Sequence, residues 1–256
     1  MILFDQIIFG PVKSRRLGVS LGVNLLPVDA KICSFDCIYC ECGFNTTMKE
    51  SPLPTRQQVY ETLEAKLKEM VAANELPDVI TFAGNGEPTL HPQFEGVIDD
   101  TIVLRDRYCP TAKVSVLSNS TRMHKPSIFK ALLKVDNNIL KFDSAFDTTL
   151  QLLDRPVGKQ ITVRWQIEQF KKFEGNLIIQ TMFLRGNVNG TIIDNTTDVE
   201  VDAWLVALKE INPKQVMIYT IDRETPTKGL EKISLEDLNK IAEKVKAAGF
   251  DVSVAG

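Results

Sequence analysis

The 256-residue chain contains no apolar run approaching the roughly 20 residues that a membrane helix requires, so no membrane partner is expected. It has no Gly-, Ser- or Pro-rich linker and no low-complexity tract, and a single domain over 1–256 is the economical reading. Neither sign of charge dominates: 30 Lys and Arg against 33 Asp and Glu leave a net charge of −3. That balance lacks the electrostatic footprint of a dedicated nucleic-acid binder, although a basic face inside a balanced total keeps nucleic acid open as a partner. Histidine is scarce, at two residues, and so is cysteine, at five. An odd cysteine count argues against a disulfide scaffold, and a chain of this length can bury a sufficient core without one. The opening "MILFDQIIFG" has no basic region and no long apolar core, and it carries Asp5. It makes a poor secretory signal, so the expected setting is cytoplasmic and reducing, where thiols stay free to bind metal.

What is present, from residue 55 onward, is alternation. "TRQQVYETLEAKLKEMVAAN" begins with Thr55 and Gln58 at capping-box spacing and sets Val59, Leu63 and Leu67 on one helical face. "DVITFAG" is a short apolar strand, a helix is expected near 93–105, and "KVSVLSN" is a second strand. Helix in "PSIFKALLKV", strand in "NILKFDS" and helix in "KQITVRWQIEQFKKF" follow, then strand in "NLIIQTMFLRG". A helix from Val199, a strand in "KQVMIYTI" and a helix capped by Ser234 and stopped at Gly249 complete the series. With a strand in "LGVSLGVNLL" ahead of the cysteines, about six units result. Alternating strands and helices predict a parallel sheet covered on both faces, barrel-like or doubly wound. In such folds ligands gather at the carboxyl ends of strands. The residues to watch are therefore "GNGEP" (84–88), "SNST" (118–121), "FDS" (142–144), "LRGN" (184–187) and "YTIDRE" (219–224).

Four of the five cysteines lie within ten residues, in "AKICSFDCIYCECGFN", at 33, 37, 40 and 42. Structural zinc sites usually pair two knuckles across a longer spacer, whereas these thiols share one short loop and both histidines, His91 and His124, lie elsewhere. Soft thiolates suit zinc, copper(I) or an iron–sulfur cluster. A cubane held by three cysteines keeps one iron free for another ligand, and Cys42, two residues from Cys40, is awkwardly placed to serve a different corner.

Cys33-x3-Cys37-x2-Cys40, with Tyr39 before the last cysteine, resembles the signature of the radical S-adenosylmethionine (radical SAM) superfamily. The resemblance implies an α/β fold, a partial (β/α)6 barrel. It also implies an enzyme in which the three cysteines hold a [4Fe–4S] cluster and S-adenosyl-L-methionine binds the open iron. Reductive cleavage of SAM then gives a 5′-deoxyadenosyl radical that abstracts hydrogen from a substrate. Asn85, Gly86 and Glu87 occupy the place of the family's Gly-Gly-Glu-like motif for the SAM amino group, with Asn85 replacing a glycine. Ser118 and Asn119 match the position that contacts the ribose or carboxylate, Lys141 and Asp143 follow the fourth strand, and Tyr219 and Thr220 match the adenine contacts. Tyr39 is expected beside the adenine. "FGPVKSRRLGVSLGVNLLP", "GNGEPTLHP", "LDRP" and "YTIDRETP" are similar to compact iron–sulfur oxidoreductases related to the wyosine-type tRNA base synthases. The substrate is left as a small molecule, nucleoside or protein, with an external low-potential electron donor as a further partner. A glycyl-radical activating enzyme and a non-catalytic iron–sulfur or zinc protein are the alternatives. No second cysteine set is present for an auxiliary cluster. "KSRR" (13–16) offers Arg15 or Arg16 to a carboxylate or phosphate.

Overall fold

Tertiary contacts come from a computed structural model that describes residues 2–14, 16–46, 52–158 and 160–256; Arg15 lies outside them. Strand β1 (Ile8–Ser14) turns back on β2 (Gly18–Val23) as an antiparallel hairpin. The cysteine loop leads to helix α1 (Arg56–Ala73), where Thr55 and Gln58 close the expected capping box and Val59, Leu63, Leu67 and Met70 are buried. Then come β3 (Val79–Phe82), α2 (Phe94–Tyr108), β4 (Lys113–Ser118), α3 (Pro126–Lys134) and β5 (Asn137–Lys141). Two short helices, α4 (Asp147–Leu153) and α5 (Val163–Lys171), precede β6 (Ile178–Met182). A second hairpin, β7 (Leu184–Val188) and β8 (Thr191–Asp194), precedes α6 (Asp198–Ile211) and β9 (Gln215–Tyr219). The chain closes with β10 (Leu230–Lys232), α7 (Leu235–Ala247), capped by Ser234, and β11 (Val252–Ala255).

The main sheet runs β1-β2-β3-β4-β5-β6-β9-β11, and every pairing from β2 onward is parallel. β3 and β6 are buried at every residue, as both-face coverage demands. The sheet curls. Leu17, beside β2, packs with Leu117, Ile139, Ile178 and Met217 of β4, β5, β6 and β9, so one edge meets the inner face of distant strands. This is the partial barrel expected of six parallel β/α units, β2 to β6 and β9.

The structure adds elements that periodicity did not reveal. β1 contains Gly10 and Pro11 and escapes a strand pattern, yet it sits at the sheet edge, where proline costs no ladder bond. "LRGN", expected as part of the rim, is instead strand β7 in a separate antiparallel sheet ordered β10-β7-β8. No described helix is long and apolar enough to cross a membrane.

Candidate active site

The cysteine loop leaves the carboxyl end of β2 and is fastened on both sides by backbone bonds. On one side, Ile32 donates to the Asn85 carbonyl at 2.9 Å and its own carbonyl accepts from Glu87 at 3.2 Å. Gly86 lies between, at φ +133°, and a β-carbon there would collide with the Ile32 carbonyl. Glycine is thus required for the close approach that sets Cys33 beside the end of β3. On the other side, Asp36 donates to the Asp154 carbonyl at 2.9 Å, Ile38 to Leu153 at 3.0 Å and Val157 to Ser34 at 2.8 Å. Asn45 clasps the loop from within: its Oδ1 accepts from the Cys33 amide at 2.9 Å, and its Nδ2 donates to the Cys33 and Phe35 carbonyls.

Beneath the loop lies Lys31, 2% exposed, donating to the Gly43 carbonyl at 2.8 Å with Asp36 at 3.6 Å. Burial pushes its ammonium toward neutrality, but Cys40, Cys33, Cys37 and Asp36 outweigh this and hold it above its ordinary pKa. The thiols differ among themselves. Burial raises Cys33 to about 12, with Glu87 adding repulsion, and burial raises Cys37 well above its normal value. Cys40 is lowered to about 6 by a hydrogen bond from Cys42 and by Lys31, and Cys42 rises correspondingly. Binding of a soft metal centre must displace protons from the first two.

All five cysteines are free. The three motif thiols influence one another electrostatically, yet among the described residues no three His, Cys, Asp or Glu side chains are placed to hold a single metal ion. Three soft thiolates on one short loop are a donor set that suits an iron–sulfur cluster.

At the strand ends, Glu87 is buried, and its two oxygens accept four hydrogen bonds. Oε1 takes Thr89 N (3.1 Å), Thr89 Oγ1 (2.5 Å) and Ser118 Oγ (2.8 Å), and Oε2 takes Asn119 N (2.7 Å). Burial nevertheless pushes its carboxyl above the usual range. The Asn119 side chain then reaches the cysteine loop, donating to Cys33 Sγ at 3.4 Å and Ser34 Oγ at 3.0 Å. Glu87, Ser118, Asn119 and Cys33 therefore form one connected unit. The Asn85 side chain points elsewhere. It bonds the Phe4 amide (2.8 Å), the Phe4 carbonyl (2.9 Å) and the Pro27 carbonyl (2.8 Å), anchoring the N-terminal segment.

Behind the second and third cysteines sits a buried polar network. Tyr39 Oη donates to Asp143 Oδ2 and, at 3.2 Å, to Asp154 Oδ1; Lys141 Nζ meets the same two oxygens at 2.7 and 3.4 Å. Lys141 also lies 4.4 Å from the centre of the Tyr39 ring. Asp143 Oδ1 accepts from the Met182 amide, and Cys37 Sγ donates to Asp154 Oδ1 at 3.4 Å. Burial, opposed by Lys141, raises Asp154 to about 8. Of the later strand-end residues, Thr220 Oγ1 accepts from Ile233 N at 2.8 Å, while the Tyr219 ring faces Arg16. Lys31, Asn45 and Asp154 were not singled out from the sequence. The signals were slight: a lysine two residues before Cys33, an asparagine past the last thiol, and the aspartate of "LDRP".

A family model described as the radical SAM superfamily matches residues 28–182. A UPF0026 protein of Helicobacter pylori is 31% identical over 239 residues, covering 91% of this chain and 72% of that protein. A protein named GTPase Obg in Brachyspira hyodysenteriae is 30% identical over 251 residues, 96% of this chain, which spans only 34% of that relative's length. Among solved structures, a radical SAM methyltransferase from Sphaerobacter thermophilus superposes with a TM-score of 0.66 at 13% identity, over 92% of this chain and 65% of that one. TYW1 with a lysine-pyruvate adduct bound gives 0.61 at 14%, over 89% and 73%. These two likenesses concern the fold.

Proposed function

The chain belongs to the radical SAM superfamily, whose cofactors are a [4Fe–4S] cluster and SAM, and on that premise we propose that it is a radical SAM enzyme. In this reading Cys33, Cys37 and Cys40 hold the cluster and the ends of β3 and β4 hold SAM. Bound there, these cofactors would supply one-electron reductive cleavage of SAM and hydrogen abstraction from the substrate. The observation that carries the reading is the joining of the "GNGEP" segment to the cysteine loop through Ile32, Gly86 and Asn119. A carboxylate for an ammonium group and a thiol for iron are thereby held in one rigid frame.

The chain's own residues divide the work. Glu87 offers negative charge to the methionine ammonium, and its four donors fix the carboxylate's orientation. Asn119 ties that group to Cys33 and donates toward its sulfur, which stabilises thiolate charge. Lys31 sets a buried cation beneath a loop that becomes anionic on ligation. Asn85 acts on the site only through its backbone, because its side chain is committed to Phe4 and Pro27. Tyr39 and Asp143 support the adenosine side as a preorganised pair, and Tyr219 and Thr220 border it at the end of β9.

Anaerobic reconstitution with iron and sulfide, reduction, and addition of SAM test the reading, with formation of 5′-deoxyadenosine as the expected product. An intact cluster with SAM bound and no 5′-deoxyadenosine would sink it.

A further inference from the structure

The inner face of the curled sheet is layered. Leu117, Ile139, Ile178 and Met217 form an apolar floor with Leu17. Two residues further along β5, β6 and β9, the same face presents Lys141, Gln180 and Tyr219, because side chains on one face recur every second residue. Lys141 and Tyr219 are the last residues of their strands, so this polar layer sits above the floor at the carboxyl ends of β5 and β9. The β1–β2 turn inserts Arg16 into it. Ser14 Oγ accepts from Arg16 N at 3.2 Å and Leu17 N at 3.1 Å, which fixes the turn, and Leu17 is seated on the floor. The Arg16 guanidinium carbon then lies 4.5 Å from the centre of the Tyr219 ring.

The polar neighbours are already engaged. Lys141 pairs with Asp143 and Asp154, and Gln180 lies beside the Tyr219 hydroxyl. Arg16 is different. Its Nη1 is shut off from solvent with no hydrogen-bond partner, and no carboxylate among the described residues pairs with it. Arg16 as a whole is half-buried, but a donor nitrogen stranded in this way costs free energy that an acceptor arriving with a ligand recovers. A guanidinium with one face stacked on an aromatic ring keeps its edge for bidentate oxygen pairs.

Building on the radical SAM reading, we propose that Arg16 is a substrate-binding residue whose free edge takes an oxoanion of the substrate, a carboxylate or a phosphate, beside Tyr219 inside the half-barrel. The substrate is accordingly an anion-bearing molecule, held by Arg16 at the level where β9 ends.

The test uses anaerobic holoprotein already saturated with SAM, titrated calorimetrically with inorganic phosphate and, separately, with acetate. One of them binds saturably at a single site. The stronger binder identifies the class, a phosphate ester or a carboxylic acid. Arg16→Gln weakens that binding by about tenfold or more, and Arg16→Lys weakens it less. Lys13→Gln removes the same charge from an exposed position on β1 and leaves binding unchanged. Iron and sulfide contents equal to wild type verify that each variant is folded; if Arg16→Gln loses its cluster, Arg16→Lys against wild type decides. No saturable binding of either anion, or equal binding by wild type and variant, overturns the proposal. So does a loss of SAM affinity alone in the variant, which would assign Arg16 to the SAM carboxylate. Failure of the radical SAM reading itself appears earlier, as wild-type protein that holds no cluster or no SAM.

Discussion

Glu87 is a buried carboxylate whose oxygens are fully satisfied, and its burial still raises its pKa. Replacing it by Gln turns one acceptor into a donor facing other donors, at about 1–3 kcal/mol of stability, and removes the charge expected to face the SAM ammonium. Glu87→Gln is therefore expected to keep the cluster and bind SAM at least about tenfold more weakly, read by equilibrium binding to holoprotein. The pH dependence has a definite sign. A carboxyl raised on folding contributes stability that is full below its unfolded pKa, about 4.3, and is lost as pH rises through the folded value. Wild-type apoprotein thus loses stability relative to Glu87→Gln over that interval, a trend that denaturant midpoints at several pH values would show. The cysteines give the second residue-scale outcome. Cys37→Ala should lose the cluster, whereas Cys42→Ala, removing a thiol that donates to the Gly84 carbonyl, should retain it. Loss of iron in Cys42→Ala would refute the three-ligand assignment. Spacing alone suggested which thiols to choose, but the Asn119 and Asp154 contacts to Cys33 and Cys37 join residues 86 and 117 positions apart, which no local pattern encodes.

Among the elements, the helices and inner strands were legible because each carries its own instructions: a capping box at Thr55, Ser234 at the start of α7, apolar stripes at helical spacing. The elements missed were β1, α4, β7, β8, β10 and β11, short segments held largely by their neighbours. β1 is exposed over much of its length and interrupted by Gly10 and Pro11, and β7, β8 and β10 form a small sheet whose strands come from either side of β9. The N-terminal segment is likewise held by distant residues, by the Glu41 carbonyl at Ile2 and by the Asn85 side chain at Phe4. Asn85→Ala removes three hydrogen bonds to Phe4 and Pro27, and a loss of about 2–4 kcal/mol is expected. Hydrogen exchange would show the Phe4 amide unprotected while β3 to β5 keep their protection; unchanged exchange at Phe4 would contradict the anchoring role.

For the molecule as a whole, the parallel order of strands gathers the segments that follow β3, β4, β5 and β9 at one end of a curled sheet, and the cysteine loop is fastened across that end. Ligand linkage gives a global prediction. SAM at a hundred times its dissociation constant should stabilise holoprotein by about 2.7 kcal/mol, roughly 5–10 °C in melting temperature for a chain of this size. A Cys33→Ala/Cys37→Ala/Cys40→Ala variant should show little of this shift, and an equal shift would mean that SAM binds independently of the cysteines. The sequence by itself determined the alternation of strands and helices, hence the parallel sheet, and it singled out three thiols as candidate ligands, because these depend on short-range periodicity and spacing. Only the tertiary structure decided that Gly86 is there for the Ile32 carbonyl, that Lys31 is buried under the loop, and that Arg16 enters the inner layer over Tyr219. The first two depend on how the cysteine loop folds back over the ends of neighbouring strands, and the third on the curl of the sheet, a sum over many strands that no single stretch of sequence displays.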